Sequence, residues 1–132
     1  MKPEAECRVT ASFLESGRVV CHASHCGAAM AGLGVLLARA AGARLLLAGS
    51  LPFWLAGIYL GVRVAIDASL FQLLAGGAGD GWQALDELRA RPARTLEERR
   101  GGAMRLWVCL LAAVAIQLAL LMAGLAVQAL AS

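Results

Sequence analysis

Four of the side chains best equipped for chemistry sit together: Cys21, His22, His25 and Cys26 spell CHxxHC. Thiolate and imidazole are donors that zinc and copper accept. On a helix, however, these four spread over about 140°, wider than one tetrahedral site allows, and the spacing is neither CxxC nor HxxxH. No metal is assigned to them. Outside the cytoplasm, a disulfide among Cys7, Cys21 and Cys26 is the structural alternative. A second candidate is Arg63 with Asp67, four apart and so on one helix face, either a local ion pair with the arginine snorkelling to headgroups or a functional intramembrane acid. His22 and His25 are the only histidines. The chain has no Gly-rich phosphate loop, no HExxH and no Ser, His and acid set. An enzyme is not expected, nor a cofactor.

The elements that must carry these residues are set by hydropathy. Leu106 to Ser132 holds no charged residue, long enough for a helix to cross a hydrocarbon core of about 30 Å. Leu45 to Val62 is a second uncharged run and continues past Arg63 and Asp67 to Ala75. Of 132 residues, 60% are hydrophobic, against about 45 to 50% in soluble domains, and mean hydropathy is +0.70. The net charge of +3 is too small to argue for nucleic acid. These features predict an all-α membrane protein, a two-span transmembrane hairpin with a short cytoplasmic helix and an N-terminal interfacial helix.

In chain order, residues 1–27 show no sustained periodicity and read as a mobile tail, or as residues upstream of a start at Met30; no cleavable signal peptide is evident. Residues 28–49 are apolar but interrupted by Arg39 and Arg44, each costing about 2.5 to 3.5 kcal/mol at bilayer centre, which favours an interfacial helix. Residues 50–75 form the first span, with Pro52 in its first turn. The segment 76–94 is a loop with a short amphipathic helix over 81–90. The second long helix, 95–132, opens with Thr95 and Glu98 in the TxxE capping pattern.

Packing and polar contacts follow from small and amide side chains. Gly57 and Gly61 form GxxxG, and Ala115, Ala119 and Ala123 recur every four residues on a stripe that would suit them. Gln117 and Gln128 are placed to hydrogen-bond across helices or to tolerate lipid, and Cys109 to pack. If the helices pair antiparallel about residue 85, positions whose numbers sum to about 170 lie level. Asp67 then faces Ala103, and Arg63, Asp67, Arg100 and Arg105 form a structural ion cluster that fixes register.

YLGVRVAIDASLF at 59–71, ALDEL at 84–88 and TLEERRGGAMRLW at 95–107 resemble stretches of small uncharacterised two-helix inner-membrane proteins of proteobacteria. The resemblance implies a bacterial inner membrane and a hairpin, and no activity. Near the spans, Arg63, Arg89, Arg91, Arg94, Arg99, Arg100 and Arg105 lie on the loop side and Arg39 and Arg44 opposite. By the positive-inside rule, loop 76–94 is cytoplasmic and both termini face outward. The expected function is a non-enzymatic accessory or structural protein working through helix packing and a cytoplasmic docking surface. Its partners would be the lipid bilayer and a membrane protein or a second copy. The alternative is a small transport or metal-handling component using Asp67 and the Cys/His tail.

Overall fold

A computed structural model describes residues 3–77 and 95–131. Among these every regular element is a helix: α1 (Pro3–Glu15), α2 (Gly17–Leu37), α3 (Ala41–Ala75) and α4 (Leu96–Leu130). The expected short helix over 81–90 lies outside the described residues. Three stretches are long and apolar enough to cross a membrane, Glu4–Leu37, Ala41–Ala75 and Leu96–Leu130, which marks the chain as membrane-associated. The expected two-span hairpin is not confirmed, since a third helix is also long and apolar enough to cross.

α3 packs most extensively against α4, α2 lies against both, and α1 continues along the far end of α3. The α3–α4 pair is antiparallel. A Cβ built on Gly42 would touch Val127, one on Gly57 would touch Val114, and one on Gly124 would meet Leu47. The numbers of each pair add to about 170, the level expected for antiparallel helices centred near residue 85.

Residues 3–27, expected as a mobile tail, are helical and packed. α1 buries Cys7, Thr10, Ala11 and Leu14, an i, i+3, i+4, i+7 stripe too short and too weakly apolar to stand out in the sequence. α2 buries Gly17, Ser24, Gly27, Ala28 and Ala31 and turns its large residues outward, with Val19 72% and Leu36 80% exposed. Small residues inside and large apolar ones outside is the arrangement of helices packed in lipid. It produces no hydropathy contrast, so the helix is invisible to periodicity. The two helices join without a break: Ser16 keeps helical angles, and Ser16 N–H and Val19 N–H bond three residues back, to Phe13 and Ser16 carbonyls.

The expected interfacial helix over 28–49 is instead the end of one helix and the beginning of another. Ala38 and Ala40 are extended (ψ 128° and 127°), and the chain reverses between them. Both arginines that argued against spanning sit at this reversal rather than at mid-helix. Arg44 donates from Nη2 to the Ala38 carbonyl at 2.7 Å, satisfying a helix C-terminal acceptor. Gln128 Oε1 accepts from the N–H groups of Arg39 and Ala40 at 3.1 and 3.4 Å. Because α3 begins at Ala41, Pro52 falls inside the helix rather than in its first turn. Helix ends elsewhere match their signals. α3 stops at Ala75 with Gly77 at φ 87°, and Thr95 and Glu98 form the reciprocal capping box of α4, at 3.3 and 3.0 Å.

Candidate functional site

Two features on α2 concentrate polar chemistry: a buried clasp and an open groove. The clasp pairs Ser24 of α2 with Gln117 of α4, respectively 2% and 0% exposed. Ser24 Oγ donates to Gln117 Oε1, and Gln117 Nε2 donates to the Ser24 carbonyl at 2.8 Å. Two glycines make the room. A Cβ on Gly27 would lie 3.2 Å from Gln117 Nε2, and one on Gly57 would lie 3.4 Å from Ser24 Oγ. Three helices thus meet at one polar point, and any axial slip of α2 against α4 would strand a buried amide.

The groove runs between α2 and α3 and has a volume of about 330 Å³, with Gly61, Cys21 and Ala65 on its floor and walls. Glu15, Arg18, His22 and His25 all line it, at i, i+3, i+7 and i+10, one stripe of the α1–α2 rod. At its upper end Gln72 Nε2 donates to Glu15 Oε1 at 2.6 Å. Lower down, His25 Nδ1 lies 2.6 Å from the Cys21 carbonyl. A carbonyl can only accept, so Nδ1 carries the ring proton. The same ring meets Trp54 edge-on, 6.1 Å between centroids.

The CHxxHC residues do not converge. Cys21 is half-buried with its sulfur against Gly61, where a Cβ would come within 2.5 Å, and Cys26 is exposed. Among the described residues no three His, Cys, Asp or Glu side chains are grouped to hold a metal ion. All four cysteines are free. Cys7 is buried in α1, and burial, with Glu6 beside it, pushes its thiol above the ordinary value.

The expected packing face is half corrected. Gly57 and Gly61 do accept close neighbours, but chiefly from α2, through Ser24 and Cys21. Ala115, Ala119 and Ala123 are exposed. The buried stripe of α4 is instead Ala103, Leu110, Ala113, Val114, Gln117, Leu121 and Gly124, turned toward α2 and α3 by the Gln117 clasp. Of the expected ion cluster, Arg63 and Asp67 are half-buried one turn apart on α3. Arg63 Nη1 donates to Tyr59 Oη at 3.3 Å and lies 5.8 Å from its ring centre. Arg100 stands 3.9 Å from Glu6 of α1, and Arg105 is exposed. Glu6 is not legible as a partner in a segment without sustained periodicity. Ser24 had no sequence signal beyond being a small polar residue in an apolar stretch.

No family model matches the chain, and neither curated proteins nor solved structures show a similar one.

Proposed function

We propose that the chain is a three-span protein of a bacterial inner membrane, acting without catalysis as an accessory or structural subunit. Helix packing holds it together, and its loop-side end serves as a docking surface. One observation carries this reading: α2 beyond Arg18, α3 between Arg44 and Arg63, and α4 beyond Arg105 hold no Asp, Glu, Lys or Arg, each over a length that matches or exceeds the hydrocarbon core of a bilayer. About 28 Å of helix separates Arg18 from the end of α2 at Leu37, about 28 Å separates Arg44 from Arg63 on α3, and about 34 Å separates Arg105 from Gln128 on α4, at about 1.5 Å per residue. The levels coincide across helices. A Cβ on Gly17 would contact Val64 at 3.4 Å and Trp107 at 3.9 Å, which places Arg18, Arg63 and Arg105 within a turn or two of one plane. Tyr59 and Trp107 stand near it, as interfacial aromatics do. Between the planes the surface is apolar apart from His22 and His25 in the α2–α3 groove, with Leu45 75% and Leu55 60% exposed, a surface that water would penalise and lipid would not.

Beyond the Arg18–Arg63–Arg105 plane, α1 and the protruding ends of α3 and α4 bury Cys7, Ala11, Leu14, Ala68, Phe71 and Ala103 in a core that continues through Val64, Leu110 and Val114 along the bundle. Its outer face bears Glu4, Arg8, Ser12 and Glu97. We assign the docking role to this annex, which lies at the end of the bundle where α3 stops and α4 begins. Positive charge concentrates there, so the annex, the loop and the N-terminus are cytoplasmic and Ser132 is outside. The outward N-terminus expected from a hairpin is thereby reversed, because a third span puts the two termini on opposite sides. The cation-handling alternative draws no support from the placement of Cys21 and Cys26. Reporter fusions test the reading. Cytoplasmic activity at residues 2 and 84 with external activity at 132 is expected, and an external N-terminus with a cytoplasmic loop would reject the third span.

A further inference from the structure

We propose that the α2–α3 groove is a binding site for an anionic phospholipid, its phosphate held at Arg18 and one acyl chain lying past Gly61 toward His25. The proposal rests on the three-span reading, which puts the upper part of the groove at the headgroup level and the lower part in hydrocarbon.

Shape comes first. The groove straddles the Arg18 plane: Glu15, Ser69 and Gln72 line it above, and Cys21, Ile58, Gly61 and Val62 line it below on either side of His22 and His25. A headgroup with a chain attached is polar at one end and apolar at the other, and the α3 wall below the plane is apolar throughout. Gly61 lets the Cys21 sulfur sit close against α3, and Ala65 and Ala68 keep the α3 wall low.

Charge decides which headgroup. Arg44 is committed to the Ala38 carbonyl and Arg63 to Tyr59. Arg18 lines the groove and, among the described residues, makes no ion pair or hydrogen bond through its guanidinium. A guanidinium at the membrane surface with no protein partner is a phosphate ligand in waiting, since its planar fork matches two phosphate oxygens. His22, one turn below, adds an N–H donor. Glu15 is the one acid lining the groove, and its carboxylate accepts from Gln72 on the α3 wall. The Glu15 carboxylate is thus taken up by Gln72, and no second acid lines the groove to receive the ammonium of a zwitterionic headgroup, so the guanidinium favours an anionic one.

The test uses the purified full chain in mild detergent with equal mole fractions of phosphatidylglycerol and phosphatidylethanolamine, and reads retained lipid by native mass spectrometry. The parent should retain phosphatidylglycerol at least about fivefold over phosphatidylethanolamine. Arg18→Gln should bring that ratio near one, Arg18→Lys should restore part of it, and Ala65→Leu, which fills the groove, should lower retention of both lipids. Arg105→Gln, at the same depth but outside the groove, should change neither. Free glycerol phosphate in excess should not displace the lipid, because the acyl chain supplies much of the binding. Equal retention of the two lipids by the parent, an unaltered ratio in Arg18→Gln, or displacement by glycerol phosphate would overturn the site. Labelling of Cys109 by a membrane-impermeant maleimide in vesicles separates the two readings. If Cys109 is protected while the lipid preference is missing, the site alone is wrong. If Cys109 is labelled, the spans are wrong and the site falls with them.

Discussion

At the scale of single residues, Ser24 and Gln117 carry the largest mutual dependence. Interhelical side-chain hydrogen bonds in membranes average about 0.6 kcal/mol with a maximum near 1.7, but leaving one buried partner unsatisfied costs about 1 to 3 kcal/mol. Ser24→Ala and Gln117→Leu should each destabilise the chain by an amount in that range, and the double variant by less than their sum. A coupling under about 0.3 kcal/mol in a double-mutant cycle, which is within additivity error, would remove the clasp from the account. The Glu6–Arg100 pair is the contrasting case. At 3.9 Å and with side chains 37% and 57% exposed, it should contribute under about 1 kcal/mol and weaken with salt, so Glu6→Gln is expected to be nearly silent in thermal unfolding. Cys7 makes a pH prediction. Its raised pKa means the folded chain holds the thiol proton after the unfolded chain has lost it, so stability is constant at neutral pH and falls as pH rises above the ordinary thiol range. Cys7→Ser should flatten that fall, and alkylation of Cys7 at pH 8 should be slower in the folded chain than in detergent-denatured chain.

At the scale of elements, the third apolar helix is secured by how α3 sits between its neighbours. Leu47 of α3, 1% exposed, is wedged between two glycines. A Cβ on Gly34 of α2 would come within 2.8 Å of its Cδ1, and one on Gly124 of α4 within 2.8 Å of its Cγ. Leu47→Ala should cost about 2 to 4 kcal/mol, the range for emptying a packed leucine site. Gly124→Ala should also destabilise, since Leu47 on one side and the Ala43 carbonyl at 3.3 Å on the other leave the methyl no room. Steric-trap unfolding of the variants in bicelles reads both, and a neutral Gly124→Ala would show that the helices sit farther apart. The beginning of α4 depends on local chemistry instead. Removing the Thr95 hydroxyl should cost about 1 kcal/mol and appear as faster hydrogen exchange confined to the first turn of α4, with the spans unaffected.

At the scale of the whole molecule, the consequence that matters is topology. On the three-span reading proposed above, a reporter at residue 132 is expected opposite the N-terminus, and removing two arginines should not invert the chain, because Arg8 and Arg18 join Arg63, Arg99, Arg100 and Arg105 at one end while Arg39 and Arg44 stand at the other. Arg39→Ala with Arg44→Ala should leave a reporter at 132 external and reduce only the amount of folded protein, because Arg44 caps α2. The sequence by itself determined what long-range hydropathy and local capping can determine. The uncharged run from Leu106, the end of the other long apolar run at Ala75, the Thr95–Glu98 box and the antiparallel level of residues such as Gly57 and Val114 all follow from chemistry within one helix or from the symmetry of two. Only the tertiary structure decided the rest. α2 is a packed apolar helix whose inner face is glycine, serine and alanine, so nothing in its hydropathy separates inside from outside. Arg39 and Arg44 are obstacles to a helix over 28–49, but the chain reverses there: Arg44 caps the Ala38 carbonyl, and distant Gln128 accepts from the Arg39 backbone N–H. Ala115, Ala119 and Ala123 fit a packing stripe as well as the face that is buried, and the choice fell to Gln117, because a buried amide must meet its partner and Ser24 stands on one side of the helix alone.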